Sequence, residues 1–187
     1  VGQPEDFFRG ILESGAAPYF DMVPYHAYIN YSSYPIDQDI FYGTKWFELG
    51  GLIRGKARFL RAIMADYNVQ KPLFVNETSQ VCGWWCEQDE ELNLPAFYDM
   101  QANLPARSFS RAIADGISGF IWYTIEGPGW LYGGLLDGNQ VPKPVFYAYQ
   151  TYISMIADAE TVAPVYYGDG IEAYTFQKGS ERIDIIF

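Results

Sequence analysis

Histidine occurs once in these 187 residues and cysteine twice. A zinc site draws on three or four Cys and His ligands, so that class of centre is not expected. Basic residues are also scarce, with 12 Lys and Arg against 23 Asp and Glu, for a net charge of −11. No basic stripe is present, which argues against nucleic acid, because phosphate binding relies on Lys and Arg to displace counterions. Long apolar runs are missing: nothing approaches the ~20 residues of a membrane span. No signal-peptide pattern is visible. The chain starts at Val1 rather than Met, so a lost leader stays open. The compartment is left unassigned, with the extracellular side favoured.

The two cysteines are Cys82 and Cys86, with three residues between them. Disulfide geometry is demanding over so short a separation. An oxidised loop staple and a pair of free buried thiols therefore both stay open.

Aromatic residues, by contrast, are abundant: 16 Tyr, 13 Phe and 5 Trp. Half the chain is hydrophobic, enough for a real core in one domain of ordinary size. Most of these rings serve that core. Tyr and Trp also form platforms on which sugar rings stack, and neutral polymers or small glycosides suit the charge.

Periodicity divides the chain into alternating elements. Asp6 to Ser14 reads as a helix carrying Phe7, Phe8, Ile11 and Leu12 on one face, and Phe20 to Tyr25 as a short strand. Asn30 to Tyr42 reads as a loop. Trp46 to Tyr67 reads as a long helix on which Arg54, Lys56, Arg58 and Arg61 form a mainly solvated face. Leu73 to Asn76 is the next strand, followed by a loop from Thr78 to Leu94. Pro95 to Asp115 reads as a helix, Ile117 to Ile125 as a strand, Gly127 to Gln140 as a glycine-rich loop and Pro144 to Ala157 as a last helix. Apolar strands alternating with amphipathic helices imply an α/β fold with a parallel sheet. After Ala163 the period changes. Ile171 to Gln177 and Arg182 to Phe187 alternate around Lys178-Gly179-Ser180, predicting a β-hairpin that stops in mid-strand.

Three segments carry the chemistry. Val23-Pro24-Tyr25 leads into His26-Ala27-Tyr28. Leu73-Phe74-Val75 runs into Asn76-Glu77, and Gly119-Phe120-Ile121-Trp122-Tyr123 follows. Carboxylates at the C-terminal ends of parallel strands stand on the active face of an α/β barrel. In their order and spacing these segments resemble the sixth, seventh and eighth strands of clan-A retaining glycoside hydrolases, the (β/α)8 group of cellulase-like and β-xylosidase-like enzymes. Asp137-Gly138, Pro142-Lys143-Pro144 and Tyr147-Ala148-Tyr149-Gln150 resemble the approach to the last helix of that group. The tail from Val165 resembles the β-sandwich that follows such barrels.

The resemblance implies the C-terminal part of a (β/α)8 TIM barrel over residues 1–160, about strands 6–8. The start of an antiparallel β-sandwich module follows over 161–187. It implies cleavage of a β-linked glycoside through a covalent glycosyl-enzyme, with no cofactor and no metal. Glu77 would be the nucleophile, and Tyr28 would orient it. His26 would bond substrate hydroxyls or a neighbouring carboxylate, and Trp122 would stack under the sugar. Asn76 and Glu126 would contact substrate, and Trp84 and Trp85 would be outer platforms. Each also has a plainer reading: a surface or capping Glu77, a core His26, Tyr28 or Trp122, and loop-packing Trp84 and Trp85. Asn76-Glu77 also matches the pair that ends the fourth strand of this group, with Glu126 then a candidate nucleophile. The His26-x-Tyr28 strand before it and the terminal helix after it favour the seventh-strand position.

Retaining hydrolysis uses two carboxyl groups about 5–5.5 Å apart. The group's acid/base lies on its fourth strand, and no second strand-end Asn-Glu appears here. Three strands do not close a barrel. The expectation is a chain that works with a missing N-terminal half of the barrel. The rival expectations are a non-catalytic carbohydrate-binding barrel and a structural or partner-binding module.

Overall fold

The computed structural model describes residues 5–31, 46, 48–83, 86 and 93–187. Its elements are α1 (Glu5–Glu13), β1 (Val23–Asn30), α2 (Leu52–Asp66), β2 (Leu73–Val81), α3 (Leu94–Ala102), α4 (Ser110–Ala114), β3 (Phe120–Trp122), α5 (Pro144–Ile156), β4 (Thr161–Pro164), β5 (Ala173–Lys178) and β6 (Glu181–Ile186). β1, β2 and β3 form a parallel sheet in that order, and β4, β5 and β6 form an antiparallel one. The fold is thus mixed α/β.

Helices cover one face of the parallel sheet. Val23, Tyr25, Ala27 and Ile29 alternate along β1 and are all buried, as period-two patterning requires. They meet Leu52, Ile53, Ala57, Ile63 and Met64 of α2. Fully burying each Leu or Ile contributes about 1.5–3 kcal/mol. Gly51 starts α2 at φ 94°, a left-handed backbone that glycine adopts without strain.

Of the four basic residues expected on a solvated face of α2, Arg58 is exposed, but Arg54, Lys56 and Arg61 are half-buried. Arg54 pairs with the Asp115 carboxylate, Nε to Oδ2 at 2.5 Å, and Arg61 donates to the Asp115 carbonyl at 2.7 Å. Lys56 donates to the carbonyl of His26 at 2.9 Å. Their long aliphatic stems lie along the apolar helix while their heads tie it to neighbouring elements.

The helix expected over 95–115 is broken. Asn93 caps α3, its side chain accepting from the amide of Ala96 at 3.1 Å. A π-helical turn, Pro105–Phe109, then separates α3 from α4. Pro105 has no N–H and its ring crowds the preceding carbonyls, so the wider turn absorbs it.

β2 is longer than its apolar run suggests. Thr78, Ser79 and Gln80 are polar, yet they are buried, and their backbone pairs with β1 as far as Val81. Glu77 is therefore inside the strand rather than at its end. β3 is shorter than expected. The 171–187 hairpin forms, turning at Gly179 (φ 56°), and gains β4 as a third strand. Arg111 reaches from α4 to the Glu172 carboxylate beside this sheet, with the Phe187 ring against its guanidinium. Cys82 and Cys86 are joined as a disulfide, with their Cα atoms 6.0 Å apart.

Candidate active site

An irregularity in β2 decides where Glu77 points. Tyr25 pairs with Val75, but the next residue on β1, His26, pairs with Glu77. Asn76 is the extra residue, and the register to β3 shifts across the same stretch. In an unbulged register Asn76 would pair with His26 and Glu77 would lie opposite Ala27, on the face packed against helices, because a one-residue slip exchanges the two faces of a strand. With the bulge, Glu77 joins His26 and Tyr28 on the face away from the helices. Bulges commonly re-aim a side chain next to an active site.

Two side chains converge on one oxygen. The Tyr28 hydroxyl donates to Glu77 Oε2 at 2.6 Å. His26 Nδ1 lies 3.2 Å from the same atom. Among the described residues Oε1 receives no hydrogen bond. Burial raises the Tyr28 phenol well above its ordinary range, and the bond to Glu77 raises it further. The phenol therefore stays protonated and remains a donor. His26 is held through its own carbonyl by Lys56, so α2 contributes to the site.

The aromatic surround differs from the expected one. Trp122 pairs opposite Thr78, on the helix side. It is 6% exposed and packs against Phe109 and Tyr149. Tyr123, the next residue, emerges on the opposite face. It is 40% exposed, with its ring 6.0 Å from that of Tyr28. Trp130 follows, its ring 4.9 Å from Tyr28. Strict alternation along Phe120-Ile121-Trp122-Tyr123 would have identified Tyr123. Trp130 had no such signal, because a loop conformation brings it there.

The remaining expected residues fall in different places. Asn76 forms the bulge and is partly buried, with its Oδ1 enclosed and unpartnered. Glu126 is exposed in the loop after β3, where its carbonyl accepts from Thr124. Trp84 and Trp85 lie outside the described residues. Among the described residues no second carboxylate bonds to the Glu77 cluster, and no group of three or more His, Cys, Asp or Glu could hold a metal ion. No described helix is long and apolar enough to cross a membrane.

No protein-family model matches this chain, and no curated protein matches it. Solved structures do. A family 39 glycoside hydrolase from Bacteroides cellulosilyticus WH2 superposes with a TM-score of 0.56 at 16% identity, over 92% of this chain and 34% of that one. Xylanase 10B from Thermotoga petrophila RKU-1 gives a TM-score of 0.44 at 18% identity, over 80% of this chain and 40% of that one. This chain thus spans about a third of the length of the first of these proteins. The likeness is one of architecture: the chain has a glycosidase-like α/β fold, matched to part of a larger glycoside hydrolase.

Proposed function

We propose that this chain is the C-terminal part, about strands 6–8, of a retaining β-glycosidase barrel, with Glu77 as its nucleophile. The observation that carries the reading is the convergence of Tyr28 and His26 on Glu77 Oε2, which leaves Oε1 for the substrate. Oε1 attacks the anomeric carbon, and the glycosidic C–O bond breaks. The departing oxygen takes a proton from an acid on strands outside this chain. Water then cleaves the glycosyl ester, with the same group now acting as base. Tyr28 holds the carboxylate in one orientation throughout, and His26 adds a second contact. Tyr123 offers an aromatic ring to the sugar. Asn76 and Glu126 are assigned to substrate contact from the bulge and from the loop after β3.

The open face of the parallel sheet supports completion by further strands. Ile121, next to the helix-side Trp122, is 50% exposed on the side away from the helices. A closed barrel would cover such residues. The division at residues 1–160 and 161–187 belongs to the same proposal.

A second reading, a carbohydrate-binding barrel without catalysis, is favoured by the absence of a partner carboxylate beside Glu77 among the described residues. One experiment separates the two. A 2-fluoro glycoside with a strongly activated leaving group needs no acid to depart. It is incubated with this chain and with the longest polypeptide that contains it, and the peptides are mapped by mass. The catalytic reading expects a fluorosugar on the Glu77 peptide, lost in Glu77→Gln. Absence of label on the longer polypeptide across several sugars would leave the binding reading.

A further inference from the structure

Four buried donors converge on three consecutive carbonyls of the turn that carries Trp130. The Cys82 amide donates to the Leu131 carbonyl at 2.9 Å. Lys143 Nζ donates to the Tyr132 carbonyl at 2.7 Å, and Gln101 Nε2 to the same oxygen at 3.3 Å. Trp122 Nε1 donates to the Gly133 carbonyl at 2.8 Å. These donors come from the residue after β2, from α3, from β3 and from the residue before α5. Gln101 is fully enclosed, Lys143 is 3% exposed, and the Lys143 ammonium lies 4.7 Å from the centre of the Tyr98 ring.

The turn they hold is one the chain would not choose by itself. Leu131 and Tyr132 adopt φ of 49° and 59°, a left-handed pair built without glycine. Such backbone persists only where its surroundings over-determine it. Gly133 brings the turn close onto β2, where an added Cβ would come within 2.6 Å of Ser79 Oγ. The product of this arrangement is an exposed indole. Trp130 is 49% exposed and its ring stands against Tyr28, the donor to Glu77.

We infer that Trp130 is an aromatic wall of the substrate pocket, taking the apolar face of a pyranose ring, and that Lys143, with Gln101, is its positioning residue. The inference rests on the glycosidase reading of the site for the class of ligand. Lys143 does not touch the sugar. It fixes the Tyr132 carbonyl, and through it the angle at which Trp130 meets Tyr28. The buried Trp122 serves the same turn from the core side.

The test is 19F NMR of the protein labelled with 5-fluorotryptophan, with Trp130 assigned by Trp130→Phe and Trp46 as the control for folding. Titration with xylotetraose and cellotetraose is expected to move the Trp130 resonance. Lys143→Met is expected to shift and broaden that resonance while Trp46 stays in place, and to weaken oligosaccharide binding about tenfold. If Lys143→Met does not fold, Gln101→Leu tests the same carbonyl without removing a charge, with the same expectation. A Trp130 resonance unmoved in a folded Lys143→Met or Gln101→Leu protein would overturn the positioning role. A Trp130 resonance unmoved by both sugars, in a protein that the 2-fluoro glycoside labels at Glu77, would overturn the wall and leave the catalytic reading standing. A sugar-dependent Trp130 shift without any label at Glu77 would do the reverse.

Discussion

Tyr28 and Glu77 sit on neighbouring strands, 49 residues apart in sequence, and share a 2.6 Å hydrogen bond from phenol to carboxylate. The bond requires His26 to pair with Glu77 rather than with Asn76. Strand register, more than the identity of either residue, makes the pair.

Removing the phenol oxygen tests the bond directly. A hydrogen bond to a charged group contributes about 1.5–3 kcal/mol. Tyr28→Phe is therefore expected to lower kcat on an activated aryl glycoside by about 10- to 100-fold in the longer polypeptide, with the fold intact by circular dichroism. An unchanged rate would deny Tyr28 its orienting role.

Deleting Asn76 tests the bulge. Val75 and Glu77 would become consecutive, the strand would regain regular alternation, and Glu77 would still pair opposite His26 on the face away from the helices. The deletion should therefore retain labelling at residue 77 in the longer polypeptide, and loss of label in a folded deletion variant would refute the register assignment. Asn76→Ala, which keeps the residue count and so the bulge, should retain labelling.

Acid should loosen the contact between α4 and the antiparallel sheet. Burial tends to raise the Glu172 carboxyl, but bonds from Arg111 and Tyr174 outweigh it and hold the group below the usual glutamate range. A depressed folded value means that the unfolded chain binds the proton more readily. The stabilisation is therefore present above about pH 4.5 and is lost as pH falls below it. Glu172→Gln should lower the melting temperature at pH 6 and flatten its dependence on pH between 5 and 3. Parallel curves for the two proteins would refute this.

Alkali should act in the opposite sense at Lys143. Burial lowers its ammonium to about 8, with Asp137 opposing. Between pH 8 and the ordinary lysine value the unfolded chain holds more protons than the folded one, so stability from this group rises with pH. Tyr25 and Tyr152, both raised by burial, contribute stability that is lost only above about pH 10. Wild type should gain in melting temperature between pH 7.5 and 9.5 relative to Lys143→Met, as followed by calorimetry. An equal response of the two proteins would count against it.

Much of the architecture was legible in local pattern. Apolar alternation in Val23–Ile29 and helical spacing in α2 and α5 report burial against one neighbouring layer, a property of short segments. The change of period after Ala163 marked the hairpin for the same reason. Polar residues misled at Thr78–Gln80, because buried backbone pairing does not require apolar side chains. The expectation of one helix over 95–115 passed over Pro105, although a proline inside a helical stretch marks a break by its missing N–H.

The candidate site divides along the same line. Glu77, His26 and Tyr28 stood out because rare or charged residues adjoined apolar strands, and that is information carried by each segment alone. Their shared face was not legible, because it depends on a bulge defined by pairing between strands. Trp122 looked like the sugar platform by type. Tertiary packing placed it in the core beside Phe109 and Tyr149 and left Tyr123 facing Tyr28. Trp130 and Lys143 entered only through the fold, because distant donors from three other elements hold a turn that local preference disfavours. Composition and periodicity thus determined the layers and the reactive residues available. Register and long-range hydrogen bonding, which no single segment encodes, decided which of them meet.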